Sequence, residues 1–166
     1  MKVYDVMMSS TSNVVLDYLK YNHNELYIKH IICLDKVLKN ESFDKNLLSE
    51  VVALKNEMAE VVKKEDRKLF QYSFLYTIDK HVQSYLNDYH FRDCLQNDNY
   101  FIFDSIKLYT NEVNELLTSD FLRTDKHKIN RLTRKGKSLS KLLSDLYKAF
   151  QEEFTPNVEV EDEDIW

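Results

Sequence analysis

Five histidines, two cysteines and 28 carboxylates are the groups in this chain that could hold a metal, attack a bond or carry a proton. A carboxylate-bridged metal pair inside a helical bundle needs Glu-x-x-His on two helices, and that spacing does not occur; neither does His-Glu-x-x-His. His23 and His30 stand seven apart and can share a helix face, but two imidazoles without a neighbouring carboxylate make a poor site. His81 falls at the edge of an apolar helix face, where a hydrogen-bonded core histidine is the ordinary occupant. A buried carboxylate sharing a pocket with it would favour an enzyme with an active site in the bundle core. Cys33 and Cys94 are isolated, which argues against a disulfide framework and a zinc site and for reduced thiols. With Gly136 the only glycine, there is no material for a P-loop, a Gly-x-Gly-x-x-Gly turn or a nucleophile elbow. The sequence therefore assigns no catalytic residue, no metal ligand and no cofactor, and predicts that the protein is not an enzyme.

Two stretches have the chemistry of binding instead. Residues 123–137 hold seven Lys or Arg against one Asp, in a chain whose net charge is -5. At 100° per residue Arg131, Arg134, Lys135, Lys137 and Lys141 fall opposite the apolar seam of their helix, an arrangement suited to phosphates and equally to a solvated bundle face. Residues 157–166 carry five carboxylates, Glu159, Glu161, Asp162, Glu163 and Asp164, followed by Ile165 and Trp166. Tryptophan is a favoured anchor in protein interfaces, and acidic neighbours can steer it to a basic rim. Ile165, Trp166, Asp162 and Asp164 are thus expected to bind a partner, unless the segment folds back on the basic helix or packs against the bundle.

The elements that must position these residues follow from composition and period. A chain of 166 residues fits one domain, which at this size buries roughly 70% of its unfolded surface. One Gly and one Pro are too few for the tight turns of a sandwich or barrel, so the fold class is all-α. Plentiful Lys, Asn, Tyr, Ile and Phe with scarce Gly, Pro and Ala match AT-rich codons, as in phages, viruses, mobile elements or low-GC bacteria. The longest apolar runs fall short of a membrane span and the N-terminus short of a secretory leader, which predicts a cytoplasmic protein without a membrane partner.

We expect a single compact bundle of five or six mostly antiparallel helices over residues 1–154 and an acidic tail over 155–166. The central helix, residues 66–89, is predicted to bury Phe70, Phe74, Ile78, Val82, Tyr85, Leu86 and Tyr89 and to expose Asp79, Lys80, Gln83 and Asn87. On that face Phe74→Ala should cost about 3–5 kcal/mol. Further seams are Tyr27, Ile31, Leu34 and Leu38; Leu47, Val51, Leu54, Met58 and Val61; Ile102, Ile106, Tyr109, Val113 and Leu116; and Ile129, Leu132, Gly136, Leu139, Leu143, Leu146 and Phe150. Ser12 or Asn13, and Ser42 or Asp44, are candidate caps. The first dozen residues read as a short strand or frayed lead-in, residues 90–99 as a connection, and Pro156 as the stop of the last helix. The functional expectation is a non-catalytic protein-binding protein: an adaptor, inhibitor, immunity factor or assembly subunit, acting through a bundle face or the tail. A nucleic-acid-binding accessory protein using Arg131, Arg134, Lys135 and Lys137 is the alternative, and the heptad seams could equally pair two copies as a homodimer.

Overall fold

The structure, a computed structural model, describes residues 2–9, 12–40 and 42–154. These form eight α-helices: α1 (Val3–Met8), α2 (Asn13–Asn22), α3 (Asn24–Lys39), α4 (Lys45–Lys64), α5 (Asp66–Tyr85), α6 (Tyr89–Asp98), α7 (Tyr100–Leu117) and α8 (Lys126–Phe154), with a single 3-10 turn at Phe121–Arg123 before α8. The all-α reading holds. The higher helix count comes from three places. α2 and α3 are separate, joined at His23, whose backbone (φ -139, ψ 62) leaves the helical region. α1 replaces the expected strand or lead-in; it buries Val3 and Met7 one turn apart, and the Lys55 ammonium donates to the Val6 carbonyl at 2.8 Å. α6 replaces the expected connection. Asp88 caps it by accepting from the His90 and Phe91 N–H groups, and it buries only Phe91 and Leu95, too few apolar residues to display a period. Ser12 and Asp44 cap α2 and α4, each side chain accepting a backbone N–H of the first turn.

The chain divides into two compact units. Unit 1 comprises Met1–Ser73 with Glu115–Thr124, and unit 2 comprises Phe74–Asn114 with Asp125–Trp166. In unit 1 the seam of α4 is as expected, with Leu47, Val51, Leu54 and Met58 buried against Val3, Met7, Leu19, Leu26, Cys33 and Val37. The seam of α3 is displaced by one position: Leu26, His30, Cys33 and Val37 are buried, whereas Ile31 and Leu38 are exposed. Both sets have the same 4-3-4 spacing. The more apolar set looked like the core, yet the centre of the buried arc holds an imidazole. Burial lowers the pKa of His30, which favours its neutral form and makes it a tolerable core residue. A second core region joins Tyr18, Tyr72 and Phe121, with ring centroids 5.3 and 5.2 Å apart and both contacts edge-on. The Tyr72 hydroxyl donates to the Leu117 carbonyl at 3.2 Å, and the Leu122 N–H donates to Asn22 Oδ1 at 2.9 Å.

Helix α5 is turned about 100° from the expected orientation. Leu69, Tyr72, Leu75, Asp79 and Val82 are buried; Phe70 and Phe74 are exposed, and Asp79, expected in solvent, is inside. α5 carries apolar residues on every side, so ring size was a poor guide to which arc faces inward. In unit 2, α7 buries Phe103 in place of Ile102 and then keeps Ile106, Tyr109 and Val113. α8 buries Ile129, Leu132, Gly136, Leu139 and Leu143 as expected, with Leu146 and Phe150 half-buried. Beyond them Tyr85, Phe91, Tyr147 and Phe150 form a ring cluster, and the Tyr147 hydroxyl donates to Asp88 Oδ2 at 2.9 Å.

A Cβ at Gly136 would overlap the Tyr109 hydroxyl and lie 2.6 Å from Ile78 Cγ2. Close approach of the helices therefore requires glycine here. Gly136→Ala is expected to destabilise by about 1–2 kcal/mol net, the overpacking exceeding the gain in helix propensity. Tyr109→Phe removes the overlapped oxygen and should recover part of that loss. A double-mutant cycle in urea melts measures the recovery, and strictly additive effects would refute the contact. Among the described residues no helix is long and apolar enough to cross a membrane.

Candidate functional site

Asp79 and His81 both stand on α5. Asp79 is buried, 5% exposed; its Oδ2 accepts from Gln83 Nε2 at 2.7 Å, while Oδ1 is buried with no hydrogen-bond partner. Burial pushes its carboxyl up to about 6, against the opposing pull of the Lys80 ammonium and the Gln83 hydrogen bond. The Tyr109 hydroxyl is likewise buried and unpartnered, and its pKa is raised first by burial and then by the Asp79 charge. His81, in contrast, is exposed on the other side of α5, with its Nε2 3.4 Å from the Tyr85 hydroxyl. A buried carboxylate exists, but His81 is exposed. No group of three or more His, Cys, Asp or Glu placed to hold a metal occurs among the described residues.

A second polar cluster was not anticipated. The Tyr18 hydroxyl donates to Glu65 Oε1 at 2.6 Å, and His23 Nε2 lies 2.7 Å from Glu65 Oε2. His23 is the α2/α3 joint and Glu65 ends α4, so one carboxylate ties two helix junctions of unit 1 together. Burial, followed by the Glu65 hydrogen bond, raises the Tyr18 pKa, keeping the phenol a donor. The partners of Glu65, Tyr18 and His23, lie 47 and 42 residues away in sequence, beyond the reach of any local spacing.

The basic stripe lies on unit 2. Arg131, Arg134 and Lys137 are exposed and Lys135 is half-buried. They are not equivalent. Arg131 Nη2 is 3.0 Å from Glu112 Oε2, and Lys137 Nζ lies over the Phe74 ring, 5.1 Å from its centroid. Arg134 and Lys141 have no ion pair among the described residues. Ile165, Trp166, Asp162 and Asp164 lie outside the described residues.

The other surface is a groove of about 440 Å³ between α3 and α4 in unit 1, lined by Lys29, Ile32, Cys33, Glu50, Ala53, Leu54 and Glu57. Its floor is apolar. The small Ala53 leaves a hollow beside Ile32, and Cys33, whose thiol pKa burial raises, is an inert part of the wall. The lining residues Lys29 and Glu57 pair across it at 3.4 Å, and Glu50, also of the lining, pairs with Lys36 of α3, outside the lining, at 2.9 Å. Along each helix the paired residues are seven apart, or about 10.5 Å, so the apolar interval between them is two turns long. On the α3 side stand Lys29 in the lining and Lys36 beyond it, and on the α4 side the glutamates Glu50 and Glu57. Ile28, Ile31 and Ile32, 48%, 43% and 53% exposed, extend the apolar surface over the outer face of α3. A signal for this groove was present: Lys29/Lys36 and Glu50/Glu57 repeat at seven residues beside a run of isoleucines too wide for one seam.

No family model matches the chain, and comparison with characterised proteins and with solved structures gives no match.

Proposed function

We propose that this is a non-catalytic protein-binding protein, an adaptor, inhibitor, immunity factor or assembly subunit, whose α3/α4 groove receives an amphipathic helix of its partner. The observation that carries this reading is the two-turn apolar interval with walls of opposite charge. Helix-in-groove recognition uses apolar anchors one and two turns apart, which is the length of the interval. The Lys29–Glu57 and Lys36–Glu50 pairs are more than half exposed on both sides and contribute little energy, so an incoming helix displaces them cheaply. A partner with acidic residues toward α3 and basic residues toward α4 replaces each pair. The separation of His81 from Asp79 supports the non-catalytic half of the reading.

Four baits test it, the wild type and three variants, each captured against an extract of the source cells and compared by quantitative mass spectrometry. Ile32→Glu should lose a protein that the wild type and Arg134→Glu both retain. Lys36→Glu combined with Glu50→Lys keeps the internal ion pair but reverses the walls at that end, and it should weaken the same protein's recovery about tenfold. Equal recovery on all baits would rule the groove out.

A further inference from the structure

A different surface, independent of the α3/α4 groove, has the chemistry for a polyanion. Residues 126–148 hold eight Lys or Arg and one Asp, although the whole chain has a net charge of -5. Within that span the ordering of the side chains matters more than the count. Arg134, Lys137, Lys141 and Lys148 fall within an arc of roughly 60° at 100° per residue, opposite the buried seam. Over the helix axis they cover about 21 Å. Arg134, Lys141 and Lys148 form no ion pair among the described residues, whereas Arg131, expected to be part of the stripe, is held aside by Glu112. Beside the stripe stands Phe74 of α5, whose ring is 37% exposed and covered by the Lys137 ammonium.

An aromatic face among unpaired cations distinguishes nucleic acid from a merely acidic peptide, because bases offer π-faces that stack on such rings and carboxylates do not. It also distinguishes single strands from duplexes, in which the bases are already stacked. We infer that the outer face of α8 binds single-stranded nucleic acid, with phosphates on Arg134, Lys137, Lys141 and Lys148 and one base on Phe74. Stacking displaces the Lys137 ammonium from the ring and frees it for the adjoining phosphate. The two interactions are therefore exchanged rather than added.

The test uses the full chain and a fluorescent twelve-residue oligothymidine, followed by anisotropy. Binding is expected at 50 mM salt and should weaken by roughly 50-fold at 200 mM, as about four neutralised phosphates require. Lys141→Ala should reduce that salt effect to about 20-fold. Phe74→Leu should weaken binding by about tenfold at both salts and leave their ratio unchanged. Circular dichroism melts confirm that both variants, altered at exposed positions, remain folded. The proposal is overturned by absence of binding at 50 mM salt. It is equally overturned if Phe74→Leu binds like the wild type and polyglutamate competes as well as oligothymidine, which would make the face a dock for acidic protein. A duplex of the same length binding as tightly would also overturn it.

Discussion

Phe121→Ala is expected to destabilise unit 1 by about 3–5 kcal/mol, whereas Phe74→Ala should cost about 1 kcal/mol. Phe121 is 0% exposed, stands edge-on to Tyr72, and has the Lys68 ammonium 5.6 Å from its ring centroid. Removing the ring opens a cavity beside Tyr72, itself packed on Tyr18, and loosens the 3-10 turn that Asn22 holds through Leu122. The surrounding elements are tied by hydrogen bonds and cannot collapse into that space, which places the cost at the upper part of the range for buried aromatics. Phe74 was expected to be the core ring, but 37% of its surface is in solvent, so its removal gives up less burial and opens no enclosed cavity. Urea denaturation followed by far-UV circular dichroism measures both. Similar costs for the two variants would show that α5 has the other orientation.

A second large effect concerns pH. The carboxyl of Asp79 is raised from its ordinary 3.8 to about 6, so the native state holds this proton where the unfolded chain has released it. Its contribution to stability is complete below pH 4 and is lost as pH rises through about 6, amounting to about 3 kcal/mol. The groups acting on it are the Lys80 ammonium and the Gln83 amide of its own helix and the Tyr109 hydroxyl of α7; α8 meets Tyr109 with Gly136, which has no side chain. Asp79→Asn keeps an acceptor for Gln83 but cannot ionise. It is expected to equal the wild type near pH 4 and to exceed it by up to about 3 kcal/mol at pH 7.5. Asp88 has the opposite sign. The Tyr147 hydroxyl and the backbone N–H groups of Phe91 and His90 hold its pKa down, so its contribution is lost as pH falls through a value below 3.8. The two windows do not overlap. Chemical denaturation at about pH 2.5, 3.5, 5, 6 and 7.5 separates them, and an unchanged pH profile in Asp79→Asn would remove Asp79 as the cause.

Helices with one clear apolar stripe were legible in the sequence. Leu47, Val51, Leu54 and Met58, and likewise Ile129, Leu132, Leu139 and Leu143, alternate with polar residues that leave only one arc to bury. α3 and α5 each offer more than one plausible arc, and the choice between them depends on neighbours distant in sequence. His30 and Asp79 are central to the buried arcs despite being polar, so hydrophobicity alone pointed elsewhere. α6 was missed because ten residues with two buried side chains show no period. Of the candidate sites, the stripe on α8 was legible from spacing, but the Arg131–Glu112 pair and the Phe74 ring beside Lys137 belong to long-range packing. The α3/α4 groove depends on two helices at once. Its residues were in view, but the relation between them was not.

The ribosome meets the two units in an interleaved order. Unit 1 is completed only by Glu115–Thr124, after Phe74–Asn114 of unit 2 has already been made. Until Phe121 emerges, the nascent chain holds Tyr18 and Tyr72 without the ring that covers them. Domains usually fold as units while synthesis proceeds from the N-terminus, but here neither unit has all of its residues until the other has begun. A stalled or truncated chain ending before Thr124 would leave both units unfinished.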